Sequence, residues 1–329
     1  NMSMKLFCGS SYNDLGQRIS RHLGMQLGKI SLGNFADGEV NIFIGESVRN
    51  CECVIIQSTS QSRDKSVNDI LMELFIIIDA LKRGSASKVV VVMPYFGYSR
   101  ADRKDNSRAP ISANVIATCL EAQNVNRIIS CDLHSGQISG FFSNNCPMDN
   151  LYNEVYFVDY IKYHIIPENG DNIVIVAPDE GAVKSATRVS GKLNVSAATI
   201  FKNREKANVV SSMCLMGEVK GKVAILIDDM IDTAGTACKA ASILMENGAE
   251  KIFMCATHGI FSGPAIKRIK ESYFNRIIVT NTVTPKPETL LCEKIKIIDV
   301  SWIIAEAIRR QHDGTSLSEL YLNGNVLRD

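Results

Sequence analysis

Val223-Ala224-Ile225-Leu226-Ile227 runs without a break into Asp228-Asp229-Met230-Ile231-Asp232-Thr233-Ala234-Gly235-Thr236. Five apolar residues in a row predict a strand buried on both faces, as found in parallel sheets. A helix is expected to start at the end of the stretch, so the acids fall at the carboxyl edge of a strand, where open α/β sheets bind ligands. The small and hydroxyl residues that follow place backbone N–H groups at a helix N-terminus, which suits an anion such as a phosphate monoester. Thr233 and Thr236 add hydroxyl donors, and Gly235 lets the backbone come close. The carboxylates would repel a phosphate, so their partners are sugar hydroxyls, with or without a divalent cation. A sugar phosphate satisfies both halves. A lone aspartate here would read equally well as an ordinary helix cap, but three acids, two threonines and a glycine in nine residues argue against that.

Working outward, Val54–Ile56, Val89–Met93, Ile128–Ile129, Ile173–Val176, Ile252–Cys255 and Ile277–Val279 read as further buried strands. Between them, Leu71, Leu74, Phe75, Ile78 and Leu81 form one apolar helical face, and Ile243 and Leu244 lead to a helix stop at Gly248. Strands alternating with helices predict an α/β fold of mainly parallel sheets flanked by helices. Lys5–Cys8, Leu27–Ile30 and Val40–Ile44 read as shorter strands with an antiparallel edge. A repeat is visible: Ser112 leads to Cys131-Asp132-Leu133-His134, and Thr236 leads to Cys255-Ala256-Thr257-His258, with 22 residues from hydroxyl to histidine in each. Two related domains are therefore expected, at 1–150 and 151–310, with 311–329 packing back on the first.

The 329 residues carry 36 Lys plus Arg against 35 Asp plus Glu, a net charge of +1 that disfavours a nucleic-acid-coating surface. The ten cysteines show no C-x-x-C pair, so a zinc site is not indicated and free thiols are expected. Nothing approaches the apolar length of a membrane span, and no signal peptide is visible, which points to a cytoplasmic protein without membrane partners. No G-x-x-x-x-G-K-[ST] motif occurs, so phosphate-binding cations must come from elsewhere. Arg100, Arg103, Lys104 and Arg108 give four positive charges in nine residues, among Asp102 and Asp105, and Lys202, Arg204 and Lys206 form a second cluster. Taken as charge runs alone, both would be solvated loops.

Separated segments nearly the full length of the chain resemble the ribose-phosphate pyrophosphokinase (phosphoribosyl-diphosphate synthetase) family, a duplicated type I phosphoribosyltransferase-like fold. Asn34-Phe35-Ala36-Asp37-Gly38-Glu39 resembles the family's adenine-contacting hairpin. Tyr98 to Lys104 with Ser107 to Ala113 resembles its ATP loop, and Cys131 to His134 its metal turn. Ala177-Pro178-Asp179-Glu180-Gly181 resembles its diphosphate loop, and Lys202-Asn203-Arg204 its catalytic pair. Asp228 to Thr236, Thr257 to Ala265 and Thr280 to Thr282 match as well.

The resemblance implies transfer of the diphosphoryl group of ATP to the 1-hydroxyl of ribose 5-phosphate, giving 5-phosphoribosyl 1-diphosphate and AMP for nucleotide biosynthesis. It implies Lys202 and Arg204 as catalytic residues and Phe35, Asp37, Glu39, Arg100, Asp102, Arg103, Lys104 and Asp105 on ATP. It implies Arg204, Asp228, Asp229, Asp232, Thr233, Ala234, Gly235 and Thr236 on ribose 5-phosphate. Asp132, His134 and Asp179 would serve Mg2+, and the protein would be a homo-oligomer, dimer-based and up to a hexamer. His258 reads as structural or interfacial, and Cys131 and Cys255 as core thiols.

Three departures stand out. Ala101 occupies a usual glutamine position, Ser143 to Pro147 is slightly long where the family places regulatory contacts, and Ala182 stands where a second glycine is common. A catalytically weak, synthetase-associated regulatory subunit would be expected to lose the Lys202/Arg204 pair or the acid pair, yet both are present. A base phosphoribosyltransferase would need about half the length and would leave the Arg100 loop unexplained.

Overall fold

The computed structural model describes residues 2–203 and 212–321. The chain separates into two units. The first holds residues up to Tyr152 together with Thr282–Thr284 and the stretch from Asp299 to Tyr321; the second holds Asn153–Asn281 and Pro285–Ile298.

The first unit begins with β1 (Met4–Cys8), α1 (Asn13–Leu23), β2 (Ile30–Asn34), β3 (Val40–Ile44), β4 (Glu52–Ile56), α2 (Val67–Arg83), β5 (Lys88–Met93), α3 (Ser112–Ala122), β6 (Arg127–Cys131) and β7 (Met148–Leu151). Five of these strands make a wholly parallel sheet in the order β1-β4-β5-β6-β7. Every residue of β4 is buried, as its apolar run requires. Ser66 starts α2 with a reciprocal cap. Its hydroxyl accepts from Asp69 N–H at 3.2 Å, and the Asp69 carboxylate accepts from Ser66 N–H at 2.8 Å. Leu71, Leu74, Ile78 and Leu81 are buried along one face of that helix.

The antiparallel edge is not on this sheet: β2 and β3 pair as a separate hairpin, with Ile30, Leu32, Ile42 and Ile44 against the core and Phe43 exposed. The expected strand at Leu27–Ile30 is displaced, since β2 begins only at Ile30 and Leu27 makes a single bridge to Leu6. The cause is close approach at Gly28, whose N–H donates to Leu6 O at 2.6 Å and where a Cβ would lie 2.5 Å from the Phe7 ring.

The second unit contains α4 (Glu154–Tyr160), a π-helical turn at Ile161–Ile165, α5 (Ile166–Asn169), β8 (Ile173–Ala177), α6 (Val183–Leu193), β9 (Ser196–Asn203), β10 (Ser212–Met216), β11 (Val223–Ile231), α7 (Gly235–Glu246), β12 (Lys251–Gly259), α8 (Ala265–Glu271), β13 (Arg276–Thr280), α9 (Pro287–Leu290) and β14 (Ile295–Ile298). Its seven strands lie in the order β10-β9-β8-β11-β12-β13-β14, parallel except for the antiparallel β9–β10 pair at one edge. The strand expected to stop at Ile227 is longer. β11 carries both acids and reaches Ile231, with Asp228 opposite Ala256 and Met230 opposite His258 on β12.

The chain then returns to the first unit as α10 (Ser301–Asp313), which packs on α1. Arg309 Nη2 donates to His22 O at 2.7 Å, and Arg18 Nη1 donates to Asp299 at 3.0 Å. All ten cysteines are free thiols, with Cys131 and Cys255 buried. Among the described residues, no helix is long and apolar enough to cross a membrane.

Candidate active site

In the second unit β11 delivers Asp228 and Asp229 at the carboxyl end of the sheet's most interior strands. Although Asp228 as a residue is only partly buried, its carboxyl group is enclosed. That burial, followed by the charge of Asp229 alongside and then of Asp179, raises its pKa well above the usual aspartate value. Its Oδ1 also accepts from Asp229 N–H at 2.9 Å. Asp232, Thr233 and Ala234 turn the chain into α7, whose first residues are Gly235 and Thr236. Ala234 caps the helix in the left-handed region, at φ +61° and ψ +5°. For an alanine this costs roughly 1 kcal/mol, a strain that persists only where its surroundings enforce it. Here Arg268 on α8 donates from Nη1 to Thr233 O at 2.9 Å, and Ser262 N–H donates to Asp232 O at 3.1 Å. Arg268 carries no signal in the sequence pattern beyond its position just past the Thr257–Ala265 segment.

Asp179 lies between β8 and α6, where its Oδ1 accepts from Gly181 N–H at 2.9 Å and Ala182 N–H at 3.2 Å. Ala182 is itself buried, so its methyl group packs inward. Lys202 belongs to β9, opposite Met213 of β10. Arg204 lies outside the described residues.

In the first unit Phe35, Asp37 and Glu39 occupy the tip of the β2–β3 hairpin. Phe35 N–H donates to Glu39 O at 2.7 Å, Glu39 N–H donates to Asp37 Oδ1 at 3.1 Å, and Gly38 supplies φ +95°. Phe35 is 54% exposed, so it is a surface aromatic rather than a core residue. Arg100, Arg103, Lys104 and Asp105 are exposed on the loop between β5 and α3, with Arg103 and Asp105 paired at 2.8 Å. Asp102 differs: it is buried, and its carboxylate accepts from Gln137 Nε2 at 2.7 Å.

The loop's base rests on residues 57–68. Thr59 Oγ1 donates to Tyr95 O at 2.8 Å and accepts from Gly97 N–H at 2.7 Å, and the Tyr98 hydroxyl donates to Asn68. A cavity of about 540 Å³ opens there, lined by Gln61, Ser66, Asn68, Tyr98, Arg100 and Ala101 among others. Residues 57–68 are in turn pinned by Glu73. Its buried carboxylate accepts from Ser10 N–H at 2.7 Å, Gln57 Nε2 at 2.8 Å and Lys65 Nζ at 2.6 Å. Burial would raise the Glu73 pKa, but these donors outweigh it and hold the group below its usual value. The partners lie far apart in sequence, which hid this network from motif reading.

β6 ends at Cys131, and Asp132 turns the chain at φ +34° with its N–H donating to Leu151 O at 2.8 Å. Leu133 is buried while His134 is exposed. Among the described residues, no group of three or more His, Cys, Asp or Glu is arranged to hold a metal ion. The Asp132 carboxylate is the kind of oxygen donor magnesium prefers, whereas an imidazole such as that of His134 is an unusual ligand for it.

A parallel α/β architecture with an acid–hydroxyl turn into a helix N-terminus defines a class of phosphate-ester-binding folds. Comparison narrows that class. Residues 4–123 match the model of the N-terminal domain of ribose phosphate pyrophosphokinase, and residues 204–322 match the phosphoribosyl synthetase-associated domain. The phosphoribosylpyrophosphate synthetase from Mycobacterium smegmatis is 35% identical over 95% of this chain and 99% of that one, with a TM-score of 0.87. A purine phosphoribosyltransferase from Pyrococcus horikoshii Ot3 is 15% identical over 45% of this chain and 83% of that one, with a TM-score of 0.27. The chain belongs to the ribose-phosphate pyrophosphokinase family.

Proposed function

We propose that the protein transfers the diphosphoryl group of ATP to ribose 5-phosphate, yielding 5-phosphoribosyl 1-diphosphate and AMP. The observation that carries this reading is the match to the Mycobacterium smegmatis synthetase over nearly the full length of both chains. The oxygen of the sugar's 1-hydroxyl attacks the β-phosphorus, the bond from that phosphorus to the α–β bridging oxygen breaks, AMP leaves, and the hydroxyl proton passes to solvent. Thr233 to Thr236 hold the 5-phosphate through backbone N–H and hydroxyl groups, with Asp232 ahead of them. Asp228 and Asp229 orient the ribose hydroxyls.

Phe35, Asp37 and Glu39 receive the adenine. Arg100, Arg103 and Lys104, with Asp105, serve the ATP phosphates, while Asp102 anchors their loop through Gln137. Lys202 and Arg204 neutralise charge on the group in transfer. Asp132 with His134, and separately Asp179, would hold Mg2+, which would supply positive charge to offset the negative charge of the phosphates. The working form is a cytoplasmic homo-oligomer built from dimers, up to a hexamer. A regulatory subunit is not favoured, because the acid pair and Lys202 are both retained.

The test is AMP release from ATP and ribose 5-phosphate with magnesium. The wild type releases AMP only when the sugar phosphate is present, and Lys202→Ala lowers kcat about 10²-fold or more. Turnover of the variant near the wild-type rate would remove Lys202 from its role.

A further inference from the structure

We propose that Arg268 is a positioning residue for the phosphate-binding turn, and that it adds a positive charge at the mouth of that turn. The inference rests on the reading of Asp232 to Thr236 as the ribose 5-phosphate site and assigns it a side chain from a different element. Arg268 stands on α8, after a left-handed residue at Phe261 (φ +49°) and Gly263 (φ +55°). α8 packs against α7, so its side chains reach the turn that precedes α7. Two measurements fix where the guanidinium sits: Nη1 donates to Thr233 O at 2.9 Å, and the same Nη1 would lie 3.3 Å from a Cβ added to Gly235. The cation is therefore beside the two residues whose backbone would receive the phosphate.

The physical consequences are linked. The Thr233 carbonyl and the Ala234 N–H lie on opposite sides of one trans peptide, so a guanidinium that holds the carbonyl fixes the direction in which that N–H faces. The bond also opposes rotation of the peptide joining Thr233 to Ala234, the unit that must stay fixed for Ala234 to remain left-handed. A guanidinium has five N–H donors and one is committed to Thr233, so donors remain for a phosphate oxygen. Arg268 is exposed, so ligand need not displace a packed side chain. The same contact gives Gly235 a reason beyond backbone freedom, since a methyl group there would press on the guanidinium.

The experiment compares the wild type with Arg268→Met and Arg268→Lys in the coupled AMP-release assay, with KM measured separately for ribose 5-phosphate and ATP at two salt concentrations. Arg268→Met is expected to raise KM for ribose 5-phosphate about tenfold, the size of one lost charge-assisted contact, with KM for ATP within about twofold. It should also flatten the salt dependence of KM for the sugar phosphate. Arg268→Lys restores the charge without the planar fork and recovers part of the loss. An equal rise in both KM values, or no rise in either, overturns the assignment. If Arg268→Met fails to fold, the salt dependence of Arg268→Lys decides, and a sugar-phosphate KM and salt slope equal to wild type overturn it. A folded wild type that releases no AMP overturns instead the reading on which the assignment stands.

Discussion

In the first unit β5 stops at Met93 and residues 94–111 intervene before α3, whereas in the second β11 continues to Ile231 and only 232–234 precede α7. The far ends of the same two repeats differ in the same sense. β6 stops at Cys131, so Asp132 turns and His134 is exposed; β12 continues to Gly259, so His258 is 2% exposed and bridges Asn281. The 22-residue spacing is common to both. The length of strand beyond the sheet's carboxyl edge decides whether a side chain meets solvent or core. The supports differ too: the first loop is long and basic and leans on a buried polar network, while the second is short and acidic and is held by a strained turn braced from α8.

The largest effect is expected at Glu73. Glu73→Ala removes the acceptor shared by Ser10, Gln57 and Lys65, and should destabilise the first unit by about 3 kcal/mol or more, read from denaturant unfolding. The depressed pKa makes a pH prediction with a definite sign. This stabilisation is present above the ordinary glutamate value of 4.5 and is lost as pH falls through the lower folded value. Glu73→Gln should flatten that acid loss, and an unchanged acid profile would show that the network is not coupled to folding.

A smaller effect separates the two kinds of support. Ala234→Val places a branched side chain at positive φ and should cost about 1–2 kcal/mol and weaken ribose 5-phosphate, while Ala234→Gly should leave stability equal or higher. Equal thermal midpoints for both variants would show that the turn is not strained. Smallest in stability is His134→Ala, which should shift the magnesium needed for half-maximal activity about tenfold upward and leave the thermal midpoint nearly unchanged. His258→Ala should do the reverse, and matching behaviour of the two would erase the distinction drawn from strand length.

The strands buried on both faces were legible because unbroken Val and Ile runs have few other homes, as β5, β8 and β11 show. β9 and β10 were not, since Ser196–Asn203 and Ser212–Met216 lie at a sheet edge where polar and apolar residues mix. The first strand of the hairpin begins later than its apolar residues suggest because Gly28 is drawn against Leu6 and Phe7, a long-range approach that the local pattern does not record. At the candidate site, the acids and threonines were legible from contiguity. Arg268 and the Glu73 network were not, because each depends on residues brought together only by folding.

The return of α10 to α1 has a consequence for how the molecule is made. A ribosome emits the five strands of the first sheet long before it emits Ser301, and the helix that covers α1 arrives only after the entire seven-stranded sheet has been synthesised. Throughout that interval Ile303, Ile304 and Ile308, buried in the finished fold, are missing from the nascent chain, and the groups they cover stand open. The first half of the gene product is thus the last to be completed, and the second, whose residues are contiguous but for one short excursion, is free to mature ahead of it.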